Sequence, residues 1–61
     1  MSKRDQMKEM ASIMRDAADI LDNVAELEND TSLTEEQRDE KEELLLAQFL
    51  IKMTKIQSLQ L

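Results

Sequence analysis

The sequence predicts an all-α fold: a two-helix antiparallel hairpin, with helices at about residues 2–28 and 34–60, that assembles into a homodimeric four-helix bundle or a higher oligomer. The 61 residues include no Gly, no Pro and one aromatic residue, which argues against a sheet with tight turns. Residues 7–27 repeat with a helical period, and a helix-start motif follows at Thr34. We expect the whole chain, residues 1–61, to form a single domain.

The first predicted helix has an unusually wide apolar face. Over three heptads in residues 7–27, positions a, d, e and g are all apolar and positions b, c and f are all polar. The apolar positions cover an arc of about 160°, whereas a coiled-coil seam needs only a and d. Because the chain offers only one other helix, the pattern predicts self-association. The residues of this helix predicted at the oligomer interface are Met7, Met10, Met14, Ala17, Ile20, Leu21, Val24 and Leu27.

The second helix is predicted to begin at a capping box. Residues 29–32 read NDTS, and such side chains compete with helix by bonding to local backbone. In the following TEEQ, the Thr34 hydroxyl can accept from the amide of Gln37 while the Gln37 side chain reaches back. A connection of about five residues requires the two helices to form a hairpin.

The second helix is divided along its length. Residues 35–43 include no apolar residue, whereas residues 44–51 read LLLAQFLI. In a hairpin the polar part would lie beside Ile20, Leu21, Val24 and Leu27, leaving them without cover in their own chain. With Leu46, Phe49, Met53 and Ile56 as the inward stripe, Leu44 and Ile51 point away and are available to a second hairpin. The alternative is a partly solvated hairpin. The residues of this helix predicted at the interface are Leu44, Leu45, Phe49, Ile51, Met53 and Ile56.

The charges favour an antiparallel assembly. Residues 1–15 carry a net +2, residues 16–43 carry twelve acids and a net −10, and the whole chain carries −6. Two hairpins packed antiparallel would place each acidic turn beside basic free ends. The alternative is a solvated acidic surface that only aids solubility. The residues predicted on this acidic surface are Asp16, Asp19, Asp22, Glu26, Glu35, Glu36, Asp39 and Glu40.

Composition argues against several functional classes. The chain has no His, Cys or Tyr, and no Ser or Thr has an obvious neighbouring base, so we expect no enzyme, no metal site and no cofactor. The net charge argues against direct binding of nucleic acid. We expect no membrane span, because the longest apolar run is too short, and a cytoplasmic location. A domain of this size is marginal without reinforcement, and oligomerisation is the reinforcement left.

Residues 33–44, LTEEQRDEKEEL, together with the apolar residues that follow to about residue 52, resemble the second-helix entry of the YnzC-like small helical hairpins of Gram-positive bacteria. This resemblance implies a helical hairpin and assigns no functional residue. The size and acidic helical character are also similar to those of small phage or prophage accessory proteins.

We therefore expect a homo-oligomer that binds another protein as a small adaptor or regulator and is encoded by a phage. Two alternatives stay open. One is an acidic DNA mimic that occupies a DNA-binding protein, and the other is a purely structural oligomerisation module.

Overall fold

The structure, a computed structural model that describes residues 2–59, consists of two α-helices. Helix α1 spans Lys3–Glu28 and helix α2 spans Glu35–Ser58. The part of the chain that the structure describes contains no β-strand. The prediction of an all-α chain with two packed helices is therefore confirmed. Residue 60, the predicted end of the second helix, lies outside the described residues.

The two helices lie side by side and run in opposite directions. Their closest ionic contact joins residues far apart in the chain, since the Nζ of Lys52 lies 3.4 Å from the Oδ2 of Asp16. The hairpin is a flat rod with extents of 47 × 15 × 10 Å. It therefore has two broad faces, and each of them is two helices wide.

Side-chain caps fix both helix starts. The Oγ of Ser2 accepts a hydrogen bond from the amide of Asp5 at 3.2 Å. At α2 the Oγ1 of Thr34 accepts from the amide of Gln37 at 3.1 Å, and the Oε1 of Gln37 accepts from the amide of Thr34 at 3.0 Å. This reciprocal capping box is the arrangement that the TEEQ sequence predicts.

The connection between the helices has its own hydrogen bonds. The Oδ1 of Asp30 accepts from the backbone amide of Ser32 at 3.0 Å and from its hydroxyl. The Ser32 hydroxyl first, and its amide second, lower the pKa of the Asp30 carboxyl below its ordinary value. The Nη2 of Arg38 donates to the backbone oxygen of Asp30 at 3.1 Å. These contacts tie the connection to the first turns of α2.

Replacing the cap residue tests where α2 begins. We expect Thr34→Ala to lower the free energy of unfolding by about 0.5–2 kcal/mol, because an orphan amide of the first turn loses its acceptor. Urea unfolding followed by circular dichroism measures this change. Thr31→Ala, an exposed change in the same connection, is the control and should be near neutral. Equal effects of the two changes would contradict a capping role for Thr34.

Candidate protein interaction surface

The hairpin has a very small interior. Among residues 2–59 only Ile13, Ala17 and Ile20 are buried, and all three lie on α1. Seven large apolar side chains are instead 40–66% exposed. A soluble chain seldom leaves so many clustered aliphatic groups in water without a binding reason. These exposed residues are Met7, Met14, Leu21, Leu44, Leu46, Leu50 and Ile51.

The wide apolar face of α1 divides into two lines of residues. One line faces α2 and is buried or half-buried, and we call it the inner line: Gln6, Met10, Ile13, Ala17, Ile20, Val24 and Leu27. The other line is exposed except for the half-buried Ala11, and we call it the open stripe: Met7, Ala11, Met14, Ala18, Leu21 and Ala25. The two lines are about 100° apart around the helix axis. This separation is close to the right angle between the two neighbours of a helix in a four-helix bundle.

Helix α2 turns a different line of residues inward from the one that its sequence predicts. Leu45 is half-buried, whereas Leu46 is 40% exposed. The predicted inward stripe is therefore wrong at Leu46, although Phe49, Met53 and Ile56 are half-buried as that stripe requires. The reason is the register: spacings of four and three residues connect the half-buried positions 38, 42, 45, 49, 52 and 56. Leu46 is one residue, about 100°, away from that line.

The polar start of α2 covers more of α1 than expected. Ile20 is only 8% exposed and Val24 and Leu27 are half-buried, so the prediction that they lack cover in their own chain is wrong. Of the four residues predicted to lack cover in their own chain, only Leu21 is exposed. Half-buried Arg38 and Glu42 occupy the inward positions of α2 here. Their aliphatic stems can shield apolar neighbours.

The exposed side chains of α2 fall on two sides of the hairpin. Since both helices are right-handed and run in opposite directions, Leu46 and Leu50 project on the same broad face as the open stripe. We call this the stripe face. Leu44 and Ile51 project away from it, toward the opposite broad face, which we call the groove face. The groove face carries a shallow groove of about 430 Å³ near the connection, lined by Asn23, Glu26, Leu27, Asp30, Lys41, Leu44, Leu45 and Gln48.

A single flat neighbour cannot cover both apolar surfaces of the hairpin. One flat neighbour on the stripe face would leave Leu44 and Ile51 exposed, and one neighbour on the groove face would leave Met7, Met14 and Leu21 exposed. The predicted interface residues Met10, Ala17 and Ile20 already contact the other helix of the same hairpin. A complete cover of the apolar surface therefore needs a contact on each side of the hairpin.

Most acidic side chains lie in solvent, concentrated at one end of the rod. All eight of the predicted acidic-surface residues are exposed. Asp16 has an ion pair with Lys52, and such an exposed pair contributes little to stability. Most of the other acids follow Asp22 and lie toward the connection, whereas Lys3, Arg4, Lys8 and Lys55 lie toward the free ends. The rod is thus acidic at its turn and basic at the other end.

Other kinds of site are not formed by the described residues. Within residues 2–59 no group of three His, Cys, Asp or Glu side chains could hold a metal ion. Neither described helix is both long enough and apolar enough to cross a membrane.

Comparison of the chain with protein-family models, with curated proteins and with solved structures gives no match.

Proposed function

We propose that this protein is a small acidic, non-enzymatic interaction module that self-associates and acts as an adaptor or regulator of another protein. The observation that carries the proposal is that, among residues 2–59, seven large apolar side chains are exposed and only three residues are buried. Such an interior is small for a domain that must be stable by itself. Burial of the exposed groups against other chains would supply the missing apolar contacts.

The position of these groups supports more than one contact for each chain. The stripe face and the groove face lie on opposite sides of a rod about 10 Å thick between Cα atoms. We propose that the stripe face forms the primary contact between two copies. Leu44 and Ile51 would then join such pairs into a higher assembly, or bind the regulated protein.

The absence of catalytic residue types supports the non-enzymatic part of the proposal. The chain contains no His, Cys or Tyr, the residues that most often act as bases and nucleophiles beside the carboxylates. The hydrogen bonds from Ser32 lower the pKa of the Asp30 carboxyl, and this cause is structural. An active-site acid or base usually has a pKa shifted toward its working pH, whereas the pKa of Asp30 is shifted away from neutrality.

The thermal unfolding of the protein tests the self-association. We expect the melting temperature, followed by circular dichroism, to rise as the protein concentration increases from about 1 to 100 μM. Mass action requires this dependence when folding is coupled to assembly. The control is the same series in moderate urea, where the dependence should remain while every melting temperature falls. A melting temperature independent of concentration would contradict the proposal.

The charge distribution favours a second candidate function, an acidic mimic of DNA. The exposed acids of residues 16–43 are concentrated in the part of the rod toward the connection and could occupy the cationic site of a DNA-binding protein. Pull-down from a bacterial lysate with the intact protein separates the candidates. Recovery of a DNA-binding protein in a complex that dissociates with salt would support mimicry, because such contacts are strongly screened. A partner retained at high salt would support an apolar contact and the primary proposal.

A further inference from the structure

The open stripe of α1 alternates large and small side chains. Its large members are Met7, Met14 and Leu21, which are 56%, 51% and 47% exposed, and each is followed four residues later by an alanine. The spacing of four, three, four, three and four residues is that of a coiled-coil seam. Helix α1 therefore carries one seam filled by α2 and a second seam with no neighbour among residues 2–59 of its own chain.

We propose that the partner on the open stripe is a second copy of this chain, with the two α1 helices antiparallel about a two-fold axis level with Asp16. This inference rests on the proposed self-association and specifies its surface and register. In this register the residue numbers of facing positions sum to 32. Met7 then faces the partner's Ala25, Met14 faces the partner's Ala18, and Leu21 faces the partner's Ala11.

The volumes of the side chains select this arrangement. Every layer of the proposed contact combines one large side chain with one alanine, so each layer has the same total size and the helices can approach closely. A parallel arrangement in register would place large residues against large ones and alanines against alanines. An antiparallel arrangement shifted by one heptad would leave a third of the stripe without a facing residue. Only the antiparallel register about Asp16 pairs all six positions so that each large residue faces an alanine.

The length of α1 agrees with the same axis. The helix spans Lys3–Glu28, so its midpoint lies between residues 15 and 16. An axis level with Asp16 therefore overlaps the two α1 helices over nearly their full length. A contact centred elsewhere would leave part of each open stripe beyond the end of its partner.

The flanking charges favour the same orientation. Lys8 and Asp22 lie on the side of the open stripe that faces away from α2. In the antiparallel register Lys8 lies beside the partner's Asp22 and within one turn of the partner's Glu26. Arg15 approaches the partner's Arg15 near the axis, and Asp19 lies one turn from Arg15 on the same helix to offset that repulsion. A parallel arrangement would instead place Lys8 beside Lys8 and Asp22 beside Asp22.

The size of the stripe face suits a stable dimer. Its Cα extents of 47 and 15 Å enclose a footprint of about 700 Å² for each copy, and a contact over the whole footprint of both copies, about 1,400 Å², falls within the usual range for specific complexes. The same two-fold axis brings α2 of one copy onto α2 of the other. Because Lys52 lies beside Asp16, this second contact is centred near Leu50, whose side chain is 64% exposed.

Disulfide trapping tests the register directly, since the natural chain contains no cysteine. We expect a mixture of Met14→Cys and Ala18→Cys chains to oxidise mainly to the mixed dimer, because facing positions meet the distance limits of a disulfide. Mass spectrometry distinguishes the three possible dimers, since the two chains differ in mass. Ser12→Cys, on the exposed polar side of α1, is the control and should form little dimer.

Other outcomes of the cross-linking experiment would contradict the register, the stripe contact or the self-association. Dimers mainly of Met14→Cys with itself would overturn the antiparallel register in favour of a parallel one. No disulfide from a chain that sediments as an oligomer would overturn the stripe contact and leave the proposed self-association standing. A wild-type chain that stays monomeric would overturn both.

Exchanging the large and the small residue of one layer, Met14 and Ala18, provides a second, independent test. Because position 14 occurs twice in the dimer, we expect Met14→Ala to weaken dimerisation by about a hundredfold, and Ala18→Met to weaken it similarly through overpacking. The double change should return the dissociation constant to within about tenfold of wild type, since each layer again holds one large and one small residue. At concentrations where each variant is assembled, its helicity should equal that of the wild type, because both positions are exposed in the hairpin. If the double variant dimerised as weakly as the combined effects of the two single changes imply, positions 14 and 18 would not face each other.

Discussion

Ala17→Glu is expected to unfold the hairpin. Ala17 is the most buried residue of the described chain, at 4% exposure, and it lies between the two helices. A carboxylate there would be desolvated without a cationic partner, which costs several kcal/mol. A domain of this length has a total stability of about 3–9 kcal/mol at most, so the change removes most of it. Circular dichroism should show a large loss of helicity at micromolar concentration.

Ala47→Glu is the matched control for this change. It adds the same side chain to an exposed position of α2 and should leave the helicity near that of the wild type. If Ala17→Glu kept both the helicity and the melting temperature of the wild type, residue 17 would not lie between the helices. The inner line of α1 would then be wrong.

Ile51→Lys is expected to lower the mass of the assembly. Ile51 is 56% exposed in the hairpin, so a lysine there is tolerated by the single chain but not by an apolar contact between chains. Light scattering should show loss of the higher assembly, and circular dichroism should show that most of the helicity remains. The same change would also destabilise any fold that depends on that assembly.

Thr54→Lys is the control for Ile51→Lys, because it places the same charge on an exposed position of the same helix. It should keep the mass of the wild type. An Ile51→Lys variant with unchanged mass and helicity would exclude Ile51 from the contacts between copies. That variant would then serve as a probe for the contact with the regulated protein.

The local features of this fold are predictable from the sequence. The ends of α1 and the start of α2 depend on residues within a few positions, such as Ser2 with Asp5 and Thr34 with Gln37. The hydrogen bonds that define these ends form inside one turn of helix. No information about distant parts of the chain is needed to place them.

The packing between the helices is less predictable, for a physical reason. The apolar face of α1 contains two seams with the same spacing, and the spacing alone does not decide which of them α2 occupies. Similarly, the run of apolar residues 44–51 fits several rotations of α2. The observed rotation places the long stems of Arg38 and Glu42 inward, which brings Leu45 rather than Leu46 to α1. A prediction that lets only apolar side chains of α2 shield α1 therefore misses this rotation of α2.

Sedimentation equilibrium at micromolar concentration shows whether other copies of the chain cover the exposed apolar surface. We expect a mass of at least twice the 7.1 kDa of one chain, with dissociation on dilution. A folded, helical protein that sediments at 7.1 kDa over the whole concentration range would contradict the proposed self-association.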